Sequence, residues 1–388
     1  MPGYELIGKE ELAQLTDIFT TSNGVLFPHG FDALRNNRYR VREFEQKFAE
    51  KFNIPHAQAV TSGTMAQVVA MHSLGIKPGD EVITQAHTFV ATVETIISIG
   101  AIPVIVDVDN TYNMDPVALE NAITEKTKLI VPVHMLGNTA SMNEIMAIAN
   151  RHNIPVLEDS CEALGATYFS KPAGTIGHIG IYSLDFGKTI TTGEGGMIVT
   201  SDLQHFKFCK EYHDHGHESN KTLPRGRDTR TIPGLNLRMS EMQGAVGLAQ
   251  LEKLEIILAG NRKNKQLLKS NIDSDKITFR TLTDPEGDLA DTLIFNFENK
   301  GLTDKFLTAY KDKGYGTKNI PDAIDWHFSG TWNHMFSTVP QYANTWPTQW
   351  QKTADLLYRS IALPIQVNTS EQAMDAHIAT INNILKQL

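Results

Sequence analysis

The sequence predicts an α/β protein: a large domain on a mostly parallel, seven-stranded sheet, followed by a smaller C-terminal α/β domain. Three observations carry this. From residue 56 onward, short Val- and Ile-rich runs alternate with helical stretches, the pattern of a parallel sheet with helices on its faces. At 388 residues the chain exceeds the roughly 250–300 at which one core stops growing, so two domains are expected, 1–250 and 251–388. A long helical pattern from residue 240 leads from the strand-rich part into a C-terminal stretch of mixed character.

Before the first strand, "VREFEQKFAEKF" (41–52) is amphipathic and sets Phe44, Phe48 and Phe52 on one helical face. "HAQAVTS" (56–62) reads as a strand leading into a helix from Thr64 to Leu74. "EVITQA" (81–86), "IPVIVDV" (102–108), "LIVPVHM" (129–135) and "IPVLEDS" (154–160) repeat the buried-strand pattern. "IGIYSL" (179–184) and "GMIVTS" (196–201) stand too close for a helical crossover, so that pair is expected to be antiparallel. "SEMQGAVGLAQLEKLEIIL" (240–258) is a helix with Ser240 as its N-cap.

A net charge of -9 argues against nucleic acid as the main partner, since phosphate binding depends on clustered Lys and Arg. Two basic clusters, "LRNNRYRVR" (34–42) and "LPRGRDTR" (223–230), could still form a local anion site. Cys161 and Cys209 show no metal-ligand spacing and fit a reducing compartment. The start "MPGYELIGKEEL" carries no basic-apolar leader and no run approaches 18 apolar residues, so a cytoplasmic protein without membrane contact is expected.

In an open parallel sheet, ligands gather at the carboxyl ends of the strands. That rule singles out "TSGT" (61–64), Asp159 and "SLDFGK" (183–188). Gly187-Lys188-Thr189 resembles the end of a P-loop, but Tyr182 stands where its first glycine belongs, so that reading fails. Each remaining feature has an ordinary alternative. The small-residue turn equally starts a capped helix, a strand-end Asp equally caps a turn, and a lone lysine is equally a solvated one. Together, a lysine, a carboxylate and a helix start at one sheet edge are the three handles pyridoxal phosphate requires: an imine partner, a pyridinium partner and a phosphate seat. Phe89 could stack on a flat ring or belong to the core, and the Ser183 hydroxyl could add to the phosphate seat. "HDHGH" (213–217) alternates three histidines without the Cys or carboxylates that complete a zinc site, so no metal is expected there and a substrate-facing loop is.

These residues resemble a known family. "KTITTGEGGMIVTSD" (188–202) and "GLNLRMSEMQGAVGLAQLEKL" (234–254) are similar to the pyridoxal-phosphate sugar aminotransferases of the DegT/DnrJ/EryC1/StrS type. The resemblance implies fold type I, glutamate as amino donor, pyridoxal and pyridoxamine phosphate as alternating cofactor forms, and a homodimer with shared active sites. It assigns Lys188 to the imine and proton transfer, Asp159 to the pyridine nitrogen and Phe89 to ring stacking. Gly63, Thr64 and Ser183 match the phosphate cup, and Asn236 matches an asparagine that the other subunit sends to that phosphate. Glu162 departs from the pattern, standing near the cofactor's phenolic oxygen where the family usually has Gln or His. Within the family, "MPGYELIG", "FDALRNNRYRVREFE", "DHGH" and "DPEGD" most resemble the 8-amino-3,8-dideoxy-manno-octulosonate transaminases of lipopolysaccharide biosynthesis. That implies an anionic acceptor, an 8-oxo Kdo-type acid, with His215, His217, Arg225 and Arg227 as candidate sugar ligands; arginine suits a carboxylate because its planar fork donates two parallel bonds. A nucleotide-linked 4-keto- or 3-keto-6-deoxyhexose is the alternative acceptor. A dehydratase on the same fold would carry histidine in place of Lys188, and a non-catalytic regulator would need a broken site or an added DNA-binding segment.

Overall fold

The computed structural model describes residues 2–220, 222–273, 275–337, 339–343 and 345–388. The large sheet is built from β1 (His56–Val60), β2 (Glu81–Gln85), β3 (Ile102–Val106), β4 (Thr127–Val131), β5 (Leu157–Asp159), β6 (Ile179–Ser183) and β7 (Gly196–Thr200). Bridges Ile130–Val156 and Val133–Asp159 join its two halves, giving the order β1-β7-β6-β5-β4-β2-β3. Only β7 runs against its neighbours, pairing antiparallel with both β1 and β6. The expected seven-stranded, mostly parallel sheet is therefore present, with the expected antiparallel pair inside it. Because β1, β2, β5 and β6 run the same way, their carboxyl ends share one edge, and that edge holds the site.

The helix over Arg40–Lys51 buries Phe44 and Phe48 against Leu251, Leu254 and Leu258 of a long helix, Glu241–Asn271, and against Tyr182 and Val199 of the sheet. Ser240 caps that long helix, with Gln243 completing a capping box. The helix runs on past the 258 suggested by its sequence pattern, and its last turns leave the sheet: Leu268 packs with Phe295, Phe306, Leu363 and Ile381 in a separate core. That core lies on a three-stranded antiparallel sheet of β8 (Thr278–Phe279), β9 (Thr292–Asn296) and β10 (Ser360–Pro364), with helices Lys300–Asp312 and Glu371–Gln387.

Part of the chain after Ile320 returns to the large sheet. Phe328, Trp332, Phe336 and Trp350 pack on Ala86, Val90, Val93 and Ile105. They also finish the edge strand β3. The Ile105 amide donates to Tyr342 Oη at 3.0 Å, its carbonyl accepts from Trp350 Nε1 at 2.9 Å, and the Pro103 carbonyl accepts from Gln341 Nε2 at 2.5 Å. Cys161 and Cys209 are free thiols. Among the described residues no helix is long and apolar enough to cross a membrane.

Candidate active site

A cleft of about 570 Å³ opens at the shared carboxyl edge, and its wall includes Gly63, Thr64, Phe89, Asp159, Glu162, Ser183 and Lys188. Seven of the residues singled out from sequence thus meet in one place. A larger hollow of about 610 Å³, between Arg42, Glu45, His56 and Phe206, lies away from them.

Each side chain is placed by its strand end. Ser62 N-caps the helix Gly63–Ser73, accepting from the Met65 amide at 3.1 Å, which leaves the Gly63 and Thr64 end of the helix facing the cleft with its partial positive charge. Gly63 is a glycine of necessity, because a Cβ there would stand 2.8 Å from Ser183 Cβ and 3.0 Å from Cys161 Sγ. Asp159 ends β5 almost fully buried; its Oδ2 accepts from Thr92 Oγ1 at 2.9 Å and its Oδ1 from the Cys161 amide at 3.1 Å. Burial of that charge is thereby matched by two donors. The half-exposed Phe89 ring lies near parallel to Trp326, with centroids 6.1 Å apart.

Lys188 follows β6 on a loop, its Nζ 3.8 Å from Glu162 Oε1 and 4.0 Å from Asp185 Oδ2. Burial works against the ammonium, but the Glu162 and Asp185 carboxylates outweigh it and hold the lysine above its ordinary pKa. Glu162 is itself held by the Leu136 amide at 3.2 Å, by Asn319 Nδ2 at 3.2 Å and by His327 Nε2 at 3.6 Å. Burial would raise its carboxyl; contact with His327 and the positive charge of Lys188 instead keep it well below the usual carboxylate range.

Other expected residues are not brought to this cleft within one chain. Asn236 is exposed and bridges to Asp214, and His215 is exposed in a left-handed turn (φ 56°). His217 Nδ1 lies 3.3 Å from Asp228. Arg225 grips Asp214 with both guanidinium arms, at 2.8 and 2.6 Å, and Arg227 is exposed on the same turn. Three of the four arginines of the first basic cluster are engaged internally: Arg35 is fully buried against Glu241 at 2.8 Å, while Arg38 and Arg40 pair with Asp17; the exposed Arg42 lies over the Tyr39 ring. Arg35, Arg38 and Arg40 thus spend their charge on Glu241 and Asp17 inside the fold.

Several functional candidates escaped sequence reading. Thr92 supports Asp159 from the first turn of the helix Val90–Ser98. Asp291, Lys318, Asn319 and His327 reach the cleft from the C-terminal part, more than a hundred residues after Lys188, and no spacing rule connects them to it.

The likeness to known proteins agrees with this geometry. GDP-perosamine synthase of Caulobacter vibrioides is 41% identical over 58% of this chain, a stretch that covers 59% of the synthase's own length. The spore coat polysaccharide biosynthesis protein SpsC of Bacillus subtilis is 32% identical over 98% of this chain and 96% of its own. The solved aminotransferase of Psychrobacter cryohalolentis superposes with a TM-score of 0.87 at 26% identity, covering 98% of both chains. Residues 32–382 match the DegT/DnrJ/EryC1/StrS aminotransferase family, and the chain belongs to it.

Proposed function

We propose that the protein is a pyridoxal-phosphate-dependent sugar aminotransferase that moves an amino group from glutamate to a keto carbon of a sugar. The observation that carries this is the meeting of Lys188, Asp159, Phe89 and the Gly63–Thr64 helix start in one cleft of about 570 Å³. Pyridoxal phosphate fits those residues. The helix start and Ser183 suit a phosphate, Phe89 a flat ring, and Asp159 a protonated ring nitrogen. When bound, the cofactor supplies an electron sink that makes the donor's α-proton removable. The chain's own part is to hold and move protons. Asp159, fixed by Thr92 and the Cys161 amide, would receive the ring nitrogen. Lys188 Nζ would hold the cofactor's carbonyl carbon and, once the donor's amine has displaced it, would take the proton from the substrate carbon and return it. Glu162, held by Asn319 and 3.8 Å from Lys188 Nζ, would face the cofactor's phenolic oxygen.

The acceptor we infer is a nucleotide-linked ketosugar, because a GDP-perosamine synthase is the relative with 41% identity. An 8-oxo Kdo-type acid is the second reading; Lys318, paired with Asp291, and His327 stand in the cleft wall as donors for its carboxylate. Two chains would share the site: a partner would cover the exposed Leu12, Phe19 and Phe31 of the N-terminal segment, and the exposed Asn236 would face it. The division between the two domains falls within the helix Glu241–Asn271. The test is glutamate-dependent amination by the holoenzyme of GDP- and dTDP-linked 4-ketosugars and of the 8-oxo acid, with glutamine as a second donor. Turnover of a nucleotide sugar supports the first reading and turnover of the acid alone the second; no amination of any sugar overturns both.

A further inference from the structure

Residues 2–12 do not line the cleft, yet they reach the loop that carries Lys188 at two points. The Gly3 amide donates to the Lys188 carbonyl at 3.1 Å. A Cβ at Gly3 would stand 2.8 Å from that same oxygen and 3.0 Å from Ile190 Cα, so the approach requires glycine. Beside it, the Tyr4 ring stacks on Phe186 of the cleft wall, with centroids 5.1 Å apart. The second point passes through the long helix. The buried Glu11 accepts from the Gly8 amide at 2.7 Å, Gln250 Nε2 at 2.8 Å and Lys253 Nζ at 2.7 Å. Gln250 Oε1 then accepts from the Thr191 amide at 3.2 Å. Asn368 ties the same segment to the C-terminal part, its amide donating to Glu5 Oε2 at 3.1 Å and its side chain to the Glu5 carbonyl at 3.0 Å.

We infer that residues 3–11 form a brace that positions the lysine loop, with Gly3 fixing the backbone of Lys188 itself and the Glu11–Gln250 pair fixing the loop at Thr191. The loop between β6 and β7 carries no strand ladder; from within it the Lys188 amide donates to the Asp185 carbonyl at 3.1 Å, and from outside it the Lys188 carbonyl is held by Gly3. Gly3 and Gln250 are positioning residues acting on Nζ through the main chain. The inference rests on Lys188 as the cofactor-bearing lysine.

The test follows uptake of pyridoxal phosphate by cofactor-free Gly3→Ala, Gly3→Val and Gln250→Leu proteins through visible absorbance. The pH midpoint of that absorbance and the thermal midpoint of each protein are recorded alongside. A displacement near 1 Å is enough to cost a reacting pair about 100-fold, so uptake should slow in the order wild type, Gly3→Ala, Gly3→Val, by roughly 10- to 100-fold, in protein that remains folded. The pH midpoint should move with it, which a merely destabilised protein would not show. Uptake and pH midpoint equal to wild type in Gly3→Ala and Gln250→Leu overturn the brace. Should the variants fail to fold, hydrogen exchange on the wild type decides. Amides of residues 3–8 and 186–191 should open as one unit, and free exchange at 3–8 beside a protected 186–191 overturns the inference. Borohydride trapping on the wild type separates the two levels: fixation at another lysine removes the anchor itself, whereas fixation at Lys188 with indifferent Gly3 variants removes the brace alone.

Discussion

The Nζ of Lys188 lies 3.8 Å from Oε1 of Glu162, a carboxylate that Asn319 and His327 hold in place from the C-terminal part of the chain. A charged partner at this distance makes the pair a stability element whenever the amine is not engaged elsewhere. Glu162 titrates below its ordinary value, so its contribution is complete above about pH 4.5 and fades as pH falls through the depressed folded value; Lys188 titrates above its ordinary value, so its share is complete below about pH 10.5 and fades only as pH rises past that. Glu162→Gln should therefore lower the stability of cofactor-free protein by about 1–3 kcal/mol across neutral pH. The gap from wild type should close in strong acid and strong alkali. Thermal midpoints recorded against pH check this, and a gap that widens in acid contradicts it.

Lys188 should be the residue fixed by borohydride when the holoenzyme is reduced, with peptide mapping as the readout. Lys188→Ala should lose both the label and the visible absorbance. Full turnover by that variant would remove Lys188 from the chemistry.

Thr92→Val should weaken cofactor retention, because Asp159 Oδ2 loses a donor at 2.9 Å inside the protein. A lost charged hydrogen bond costs about 1.5–3 kcal/mol, or roughly 10- to 100-fold in dissociation constant. Thr92→Ser should restore most of it. Equal affinity in the valine variant, measured by dialysis and absorbance, would leave Asp159 indifferent to Thr92.

Arg225→Ala should act on stability before it acts on substrate. Burial opposes the Asp214 charge, but the Arg225 fork, His29 and Arg238 overcome it and draw the carboxyl down to about 2. The stability this contributes is present above about pH 4 and lost as pH falls toward the folded value. Removing Arg225, which is partly exposed, should cost about 1 kcal/mol at neutral pH and shrink the acid-side loss. An unchanged thermal midpoint with a raised KM for the sugar would instead make Arg225 a sugar ligand.

The parts of the site legible in the sequence are those written into strand ends. Asp159 closes an apolar run, Lys188 follows the next strand, and the Thr61–Thr64 turn opens a helix, so one topological rule gathers all three. Boundaries followed less closely, because β5 keeps regular pairing only over Leu157–Asp159 while the apolar run begins at Ile154. What stayed hidden depends on long-range return of the chain. Lys318, Asn319 and His327 come to the cleft beside Ile320 and Phe328, which pack with Ala86, Val90 and Ile105 in a contact with no local periodicity to announce it. The aromatic density of "DWHFSGTWNHMF" was the one available signal, since so many rings need a second surface to bury against. The same limit applies to the arginines. Composition shows their charge, and only the fold shows Glu241, Asp17 and Asp214 already holding it.

The finished rim of β3 decides how this protein can meet other chains. Ile102 and Val106 turn their main-chain groups toward the sheet, leaving Pro103 and Ile105 to face outward. Pro103 has no amide hydrogen to offer, and the remaining outward groups are occupied by Gln341, Tyr342 and Trp350. An invading strand finds no unsatisfied main chain there to zip onto. Association through this side of the molecule must proceed by side-chain surfaces, and chains that lose the 341–350 segment should pair edge to edge, seen as a concentration-dependent rise in mass by light scattering.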